Sequence, residues 1–184
     1  MFDINLSVKN IFWINLENCP EDWPCLETLI LGKCQMNDYA VDFVIKNVTA
    51  TSSKVNTLWL RGLKYNLYTM RLRLYKSIAS SSNVLKYIYF EDLILNEPDM
   101  SASFFGMLNG MNLIKSLILK NCHFNSGILT HEFPKIISKL SMLKIFTFVH
   151  IKCQNFDFGM IIESILDCIR SNNTLYHLDL SNND

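Results

Sequence analysis

The chain has 184 residues, with 17 basic and 17 acidic side chains and 49% hydrophobic residues. That length and apolar content suffice for one domain with a substantial core, and the balanced charge argues against a dedicated nucleic-acid-binding protein. No stretch approaches the roughly 18 consecutive apolar residues of a membrane span, and residues 1–10 lack the pattern of a secretory leader, so an intracellular, cytoplasmic protein is expected, with the nucleus as an alternative.

In chain order, one phrase recurs. It reads Ile11-x-x-Ile14-x-Leu16-x-x-Cys19, then Leu26-x-x-Leu29-x-Leu31-x-x-Cys34, Val55-x-x-Leu58-x-Leu60-x-x-Leu63 and Leu85-x-x-Ile88-x-Phe90-x-x-Leu93. It continues as Ile114-x-x-Leu117-x-Leu119-x-x-Cys122, Leu143-x-x-Phe146-x-Phe148-x-x-Ile151 and Leu175-x-x-Leu178-x-Leu180-x-x-Asn183. The alternating apolar positions at the centre of each phrase predict strands near 11–19, 26–34, 55–63, 85–93, 114–122, 143–151 and 175–183. From Ile11 to Leu26 is 15 residues, and the later starts at 55, 85, 114, 143 and 175 follow at steps of 29, 30, 29, 29 and 32.

Seven copies in one register resemble the leucine-rich repeat family, in its ribonuclease-inhibitor-like form with about 29 residues per repeat. The resemblance implies an α/β fold: a horseshoe-shaped solenoid, parallel β-strands on the concave face and α-helices on the convex face, with 1–184 as a single domain.

The segments between phrases carry helical stripes. Tyr39, Phe43, Val44 and Val48 follow the second phrase; Leu67, Met70, Leu74 and Ile78 follow the third, with Arg71, Arg73 and Lys76 pointing elsewhere. Pro98 and Asp99 open a helix that carries Phe104, Phe105 and Leu108 inward, and Pro134 stands near the start of another with Ile136, Ile137 and Leu140. Ile161, Ile165, Leu166 and Ile169 form the last stripe. The 15-residue first step predicts an abbreviated cap around 18–25, and the seventh phrase, with no helix after it, predicts an open edge.

Chemistry-bearing motifs are sparse. The chain has no Gly-x-Ser-x-Gly elbow, phosphate loop or His-Glu-x-x-His, so no enzyme is expected. The acidic pairs Glu21–Asp22 and Glu91–Asp92 read as solvated turn residues. Cys122-His123 and His150 with Cys153 lack a second pair at zinc-finger spacing, so neither metal nor cofactor is expected. Cys19, Cys34 and Cys122 end their phrases, where the resemblance implies a small group bonding the backbone of the neighbouring turn. Cys19 and Cys25 flank a Pro20–Pro24 loop that a disulfide would close only in an oxidising compartment.

Residues that alternate with the core positions line the opposite face. The candidate partner-binding residues are Trp13, Ile30, Trp59, Arg61, Tyr87, Tyr89, Glu91, Ile118, Lys120 and Ile145. Trp59, Tyr87 and Tyr89 are expected to lie in one row with Ile30, Ile118 and Ile145, beside a charged margin of Arg61, Glu91 and Lys120. Aromatic anchors beside charged groups suit protein recognition, so a non-catalytic protein-binding module is expected, with a second contact at the open C-terminal repeat. The resemblance also admits a regulator of an enzyme, either a Ran-type GTPase activator or a ubiquitin-ligase substrate receptor. A ribonucleoprotein factor using Lys64, Arg71, Arg73 and Lys76, with Tyr65, Tyr68 and Tyr75 interleaved, is a further alternative.

Overall fold

The structure is a computed structural model that describes residues 3–7, 26–32, 35–49, 53–65, 68–80, 84–153, 158–170 and 172–183. In chain order the elements are β1 (Asp3–Ser7), β2 (Thr28–Gly32), β3 (Gln35–Met36), α1 (Asp38–Thr49), β4 (Thr57–Arg61), β5 (Lys64–Tyr65), α2 (Tyr68–Ser80), β6 (Tyr87–Glu91) and β7 (Ile94–Leu95). They continue with α3 (Pro98–Asn109), β8 (Ser116–Lys120), β9 (His123–Phe124), α4 (Ser126–His131), α5 (Phe133–Lys139), β10 (Ile145–Val149), β11 (Lys152–Cys153), α6 (Phe158–Ile169) and β12 (His177–Asp179).

The fold is α/β, built on a parallel sheet of seven strands in the order β1-β2-β4-β6-β8-β10-β12. Parallel neighbours require a crossover between them, and the helices supply it. A second tier of two-residue strands follows β2, β4, β6, β8 and β10, pairing β9 with β7 on one side and β11 on the other, and β3 with β5.

Within each strand the side chains alternate. Leu29 and Leu31, Leu58 and Leu60, Ile88 and Phe90, Leu117 and Leu119, and Phe146 and Phe148 are buried, and they share one apolar cluster with the inward stripes of the helices. These pairs are the central apolar positions of the repeated phrase. The register brings Leu29, Leu58, Ile88, Leu117 and Phe146 side by side on successive strands.

The N-terminal edge differs from the sequence expectation. Beside β2 lies β1, paired Asp3 to Thr28, a step of 25 residues rather than the 15 between Ile11 and Leu26. The phrase at 11–19 and the cap at 18–25 lie outside the described residues.

Helix faces also need adjustment. On α1 the buried apolar residues are Ala40, Val41, Val44 and Val48, while Tyr39 is exposed. On α6 they are Phe158, Ile161, Ile165 and Ile169, and Leu166 is exposed. The single helix expected near Pro134 is two, α4 and α5, and Pro134 sits in the first turn of the second, where a missing N–H costs nothing. Phe133 beside it is fully buried and joins a run of aromatic contacts: Tyr75 to Phe104 at 5.5 Å, Phe104 to Phe105 at 5.4 Å, Phe105 to Phe133 at 5.1 Å, Phe133 to Phe148 at 5.2 Å and Phe148 to Phe158 at 6.4 Å. Ring centroids at these separations add to the stabilisation from burial.

After the strands comes a left-handed residue: Gly62, Asp92, Asn121, His150 and Asn182, with φ between 50° and 57°. Glycine, Asn and Asp carry the lowest steric cost there. The conformation turns the chain toward the second tier while the amides stay in the ladder, Gly62 N–H donating to Glu91 O at 2.8 Å and Asn121 N–H to Val149 O at 3.0 Å. No helix among the described residues is long and apolar enough to cross a membrane.

Leu117 is fully buried, whereas Leu178, at the corresponding position of β12, is 39% exposed. Leu117→Ala is expected to cost about 2–5 kcal/mol in urea unfolding, and Leu178→Ala less than about 1.5 kcal/mol. Equal losses at the two sites would contradict the assigned burial.

Candidate functional site

The helices occupy one face of the sheet, and the residues between the buried strand positions project from the other. The register arranges them in three rows. The middle row is Ile30, Trp59, Tyr89, Ile118, Thr147 and Asp179. On its N-terminal side run Thr28, Thr57, Tyr87, Ser116, Ile145 and His177, and on its C-terminal side Gly32, Arg61, Glu91, Lys120 and Val149.

This separates residues that the sequence reading placed in one row. Ile30, Trp59, Tyr89 and Ile118 are adjacent, but Tyr87 and Ile145 belong to the neighbouring row and flank Ser116. Two side chains on one strand that differ by two positions sit about 6.5–7 Å apart along it, so Tyr87 cannot take the place beside Trp59 that Tyr89 holds. Trp13 lies outside the described residues.

Trp59 and Tyr89 form the centre of the face. Their rings lie 5.5 Å apart at 33°, a tilted contact between half-buried side chains. The indole Nε1 of Trp59 is buried with no hydrogen-bond partner among the described residues, and so is the hydroxyl of Ser116, a residue 1% exposed between Tyr87 and Ile145. Alternation along the strand places Ser116 on this face, but its position between Tyr87 and Ile145 comes from the register of neighbouring strands, which the local sequence does not carry.

The C-terminal row is a compact ion network. Arg61 Nε stands 3.3 Å from Glu91 Oε2 and 3.5 Å from Asp92 Oδ2, and Lys120 Nζ is 3.9 Å from Glu91 Oε1. Asn121 Nδ2 donates to Asp92 Oδ1 at 2.6 Å. Glu91, 14% exposed at its side chain, is the shared partner of both cations. The expected charged margin is therefore one linked set, and Asp92 and Asn121 extend it into the left-handed turns.

The basic helix face is largely occupied by internal contacts. Arg71 Nη1 donates to Ile94 O at 2.7 Å, and Arg73 Nη2 lies 2.9 Å from Asp42 Oδ1 and 3.4 Å from Asp38 Oδ1, both on α1. Tyr75, expected among the surface tyrosines, is fully buried in the core. Lys76 is exposed; the side chains of Lys64, Tyr65 and Tyr68 lie outside the described residues. A cavity of about 420 Å³ opens where β4 and β6 end, lined by Gly62, Leu63, Arg71, Tyr75, Asp92, Leu93 and Ile94.

The last phrase positions tie neighbouring turns together. Asn183 Nδ2 donates to Phe148 O at 2.6 Å, and its Oδ1 accepts from Ile151 N–H at 2.8 Å. Cys122 Sγ reaches Lys120 O at 3.3 Å and Phe90 O at 3.7 Å. Cys34, Cys19 and Cys25 lie outside the described residues, and Cys122 and Cys153 are in the thiol form. On β12 the Asp179 carboxylate accepts from the Ser181 hydroxyl at 2.7 Å and the Ser181 N–H at 3.1 Å, which holds its pKa below the usual value. Among the described residues no group of three or more His, Cys, Asp or Glu is placed to hold a metal ion.

Burial pushes the Cys122 thiol from 9.0 up to about 12. Its thiolate is thus disfavoured in the folded protein, and any contribution of the buried thiol to stability declines as pH rises from about 9 toward 12, where the unfolded chain ionises first. At pH 8.5, iodoacetamide followed by peptide mass spectrometry should label Cys122 at least tenfold more slowly in the native protein than in urea. Equal rates would mean that the site opens freely.

The chain matches no family model, and neither the curated proteins nor the solved structures contain a significant match to it.

Proposed function

We propose that this chain is a leucine-rich repeat solenoid of the ribonuclease-inhibitor-like type, a horseshoe whose helix-free sheet face binds a protein partner without catalysis. Supporting the architectural reading are the near-constant step between paired strands, the helical return segments, and the phrase-end Asn183 and Cys122 reaching the backbone of adjacent turns. Supporting the functional reading above all is the Trp59–Tyr89 pair, held at the centre of the uncovered face between apolar neighbours and a charged row.

The arrangement suits recognition on physical grounds. Large aromatic side chains with few rotatable bonds supply contact area at small entropic cost, and Trp59 retains an unpaired indole donor that a partner's acceptor can satisfy once the rings shift. Arg61 and Lys120 are about half exposed, 43% and 52%, so their pairs with the more buried Glu91 stay solvent-screened at the cation and contribute about 1 kcal/mol or less each to folding; the row's value lies in selecting the charge pattern of what docks beside it. Nucleic acid is the less favoured partner, because Arg71 and Arg73 already hold a carbonyl and two carboxylates.

The test is a comparison of interactomes. Wild type and the Trp59→Ala/Tyr89→Ala double variant are immobilised, and partners are quantified by mass spectrometry and then by direct titration of each purified candidate. The double variant should keep its circular dichroism and lose about 2 kcal/mol or more of binding, at least tenfold in affinity. Full binding by a folded double variant would sink the proposal.

A further inference from the structure

The two margins of the open face differ in how their charges are settled. At the C-terminal margin Arg61 pairs with Glu91 and Asp92, and Lys120 with Glu91. At the N-terminal margin the residues just before the strands form a column of their own. The N–H of Asn56 donates to Glu27 O, that of Lys86 to Asn56 O, that of Lys115 to Lys86 O and that of Lys144 to Lys115 O. Three lysines therefore stand one strand apart, immediately before Tyr87, Ser116 and Ile145. Lys86 and Lys115 are half-buried, and Lys144 is exposed. Ion pairs among the described residues engage Arg61, Arg73, Lys120, Lys135 and Arg170, and none reaches these three. With strands about 4.8 Å apart, like charges in neighbouring places repel, and no described carboxylate offsets them.

We propose that this column is the docking rim for an acidic, amphipathic helix of the partner protein. The helix lies across the strands, its carboxylates over Lys86, Lys115 and Lys144 and its apolar stripe on Tyr87, Tyr89 and Ile118. The inference rests on the reading of the open face as a protein-binding surface, and adds the chemistry and orientation of what binds there.

The spacing favours a helix. From β6 to β10 the column spans two strand spacings, about 10 Å. Residues i and i+7 of a helix are about 10.5 Å apart along its axis, so carboxylates at i, i+4 and i+7 meet the three ammonium groups in turn. An extended segment advances about 6.5–7 Å between side chains on one face, and would overshoot the third lysine by about 4 Å. The charge of the column also selects the class of partner. It runs from Glu27 through the neutral Asn56 to the lysines, so a uniformly anionic backbone laid along the array meets repulsion at β2. A segment with a few carboxylates confined to two helical turns does not.

The test is a fluorescence-anisotropy titration of the full chain with three probes. The first is a labelled helix-forming peptide of about 15 residues, with a leucine stripe and glutamate at i, i+4 and i+7 beside it. The second carries lysine in place of each glutamate, and the third is a single-stranded oligothymidylate of similar length. Wild type should bind the glutamate peptide at least about tenfold more tightly than either other probe, with an affinity that falls as salt rises. The Lys86→Gln/Lys115→Gln/Lys144→Gln variant, checked for folding by circular dichroism, should lose about tenfold in affinity and most of the salt dependence. Trp59→Ala/Tyr89→Ala should lose affinity and keep the salt dependence. No binding of the glutamate peptide, a triple variant that binds as wild type does, or tighter binding of the oligothymidylate would overturn the rim. Loss in the aromatic variant with an unaffected lysine variant would overturn the rim and leave the binding face standing; the reverse pattern would support the rim and remove the aromatic pair from recognition.

Discussion

A parallel strand can pair with the next only after the chain has travelled back along the whole length of the first, and that return path governs the rest of this molecule. With Thr28, Thr57, Tyr87, Ser116 and Ile145 stacked in register, each circuit holds 29 or 30 residues, enough for a strand, a tight turn and a helix of up to 13 residues. The helix must land on the face where the paired apolar residues point, because only there can both surfaces leave water. The other face of the sheet is then left open in every circuit, and a row of aromatic residues can accumulate on it without disturbing the core.

Different terms dominate on the two sides. Each core leucine or phenylalanine contributes about 1.5–3 kcal/mol by burial, whereas the exposed ion pairs contribute about 1 kcal/mol or less. The buried polar groups mostly serve geometry. Ser101 illustrates this: its hydroxyl donates to Leu95 O within its own circuit and accepts from Asn125 N–H of the next, so one small side chain fixes the spacing of two layers. Asn183 acts similarly at the far end. These groups account for why a serine or an asparagine can stand where apolar character would otherwise be favoured.

Much of the fold was legible because a two-residue strand period and a near-constant circuit make the phrase's apolar residues coincide with the buried set from Leu26 to Ile151. The misreadings have physical causes. The strand Asp3–Ser7 carries Ile4 and Leu6 at the phrase's central positions, paired with Leu29 and Leu31, but Lys9 stands where the phrase ends, whereas 11–19 matches at every position. Tyr75 sits among charges in the sequence, yet helical geometry turns its ring toward Phe104. Tyr39 and Leu166 fit a stripe by hydropathy, but the true stripes lie a position to one side. Within the candidate site, the residues were legible from alternation alone, whereas the neighbour relations required the register: a tyrosine at 87 and one at 89 look equivalent until the strands are aligned. The partners of Arg71 and Arg73 come from other circuits, 23 and 35 residues away along the chain, and no local pattern announces them.

The helices pack chiefly on their immediate neighbours, α1 on α2, α2 on α3, α3 on α5 and α5 on α6, and the strands do the same. Cooperative opening in such an arrangement proceeds inward from the ends, one layer exposing the next. Amide hydrogen exchange should therefore vary as a gradient along the array, slowest in β6 and β8, which have strands on both sides and the aromatic run beneath them. The same layers that hold Trp59, Tyr89 and Ile118 lie near the slow end of that gradient, so the proposed recognition surface rests on the part of the molecule that opens least.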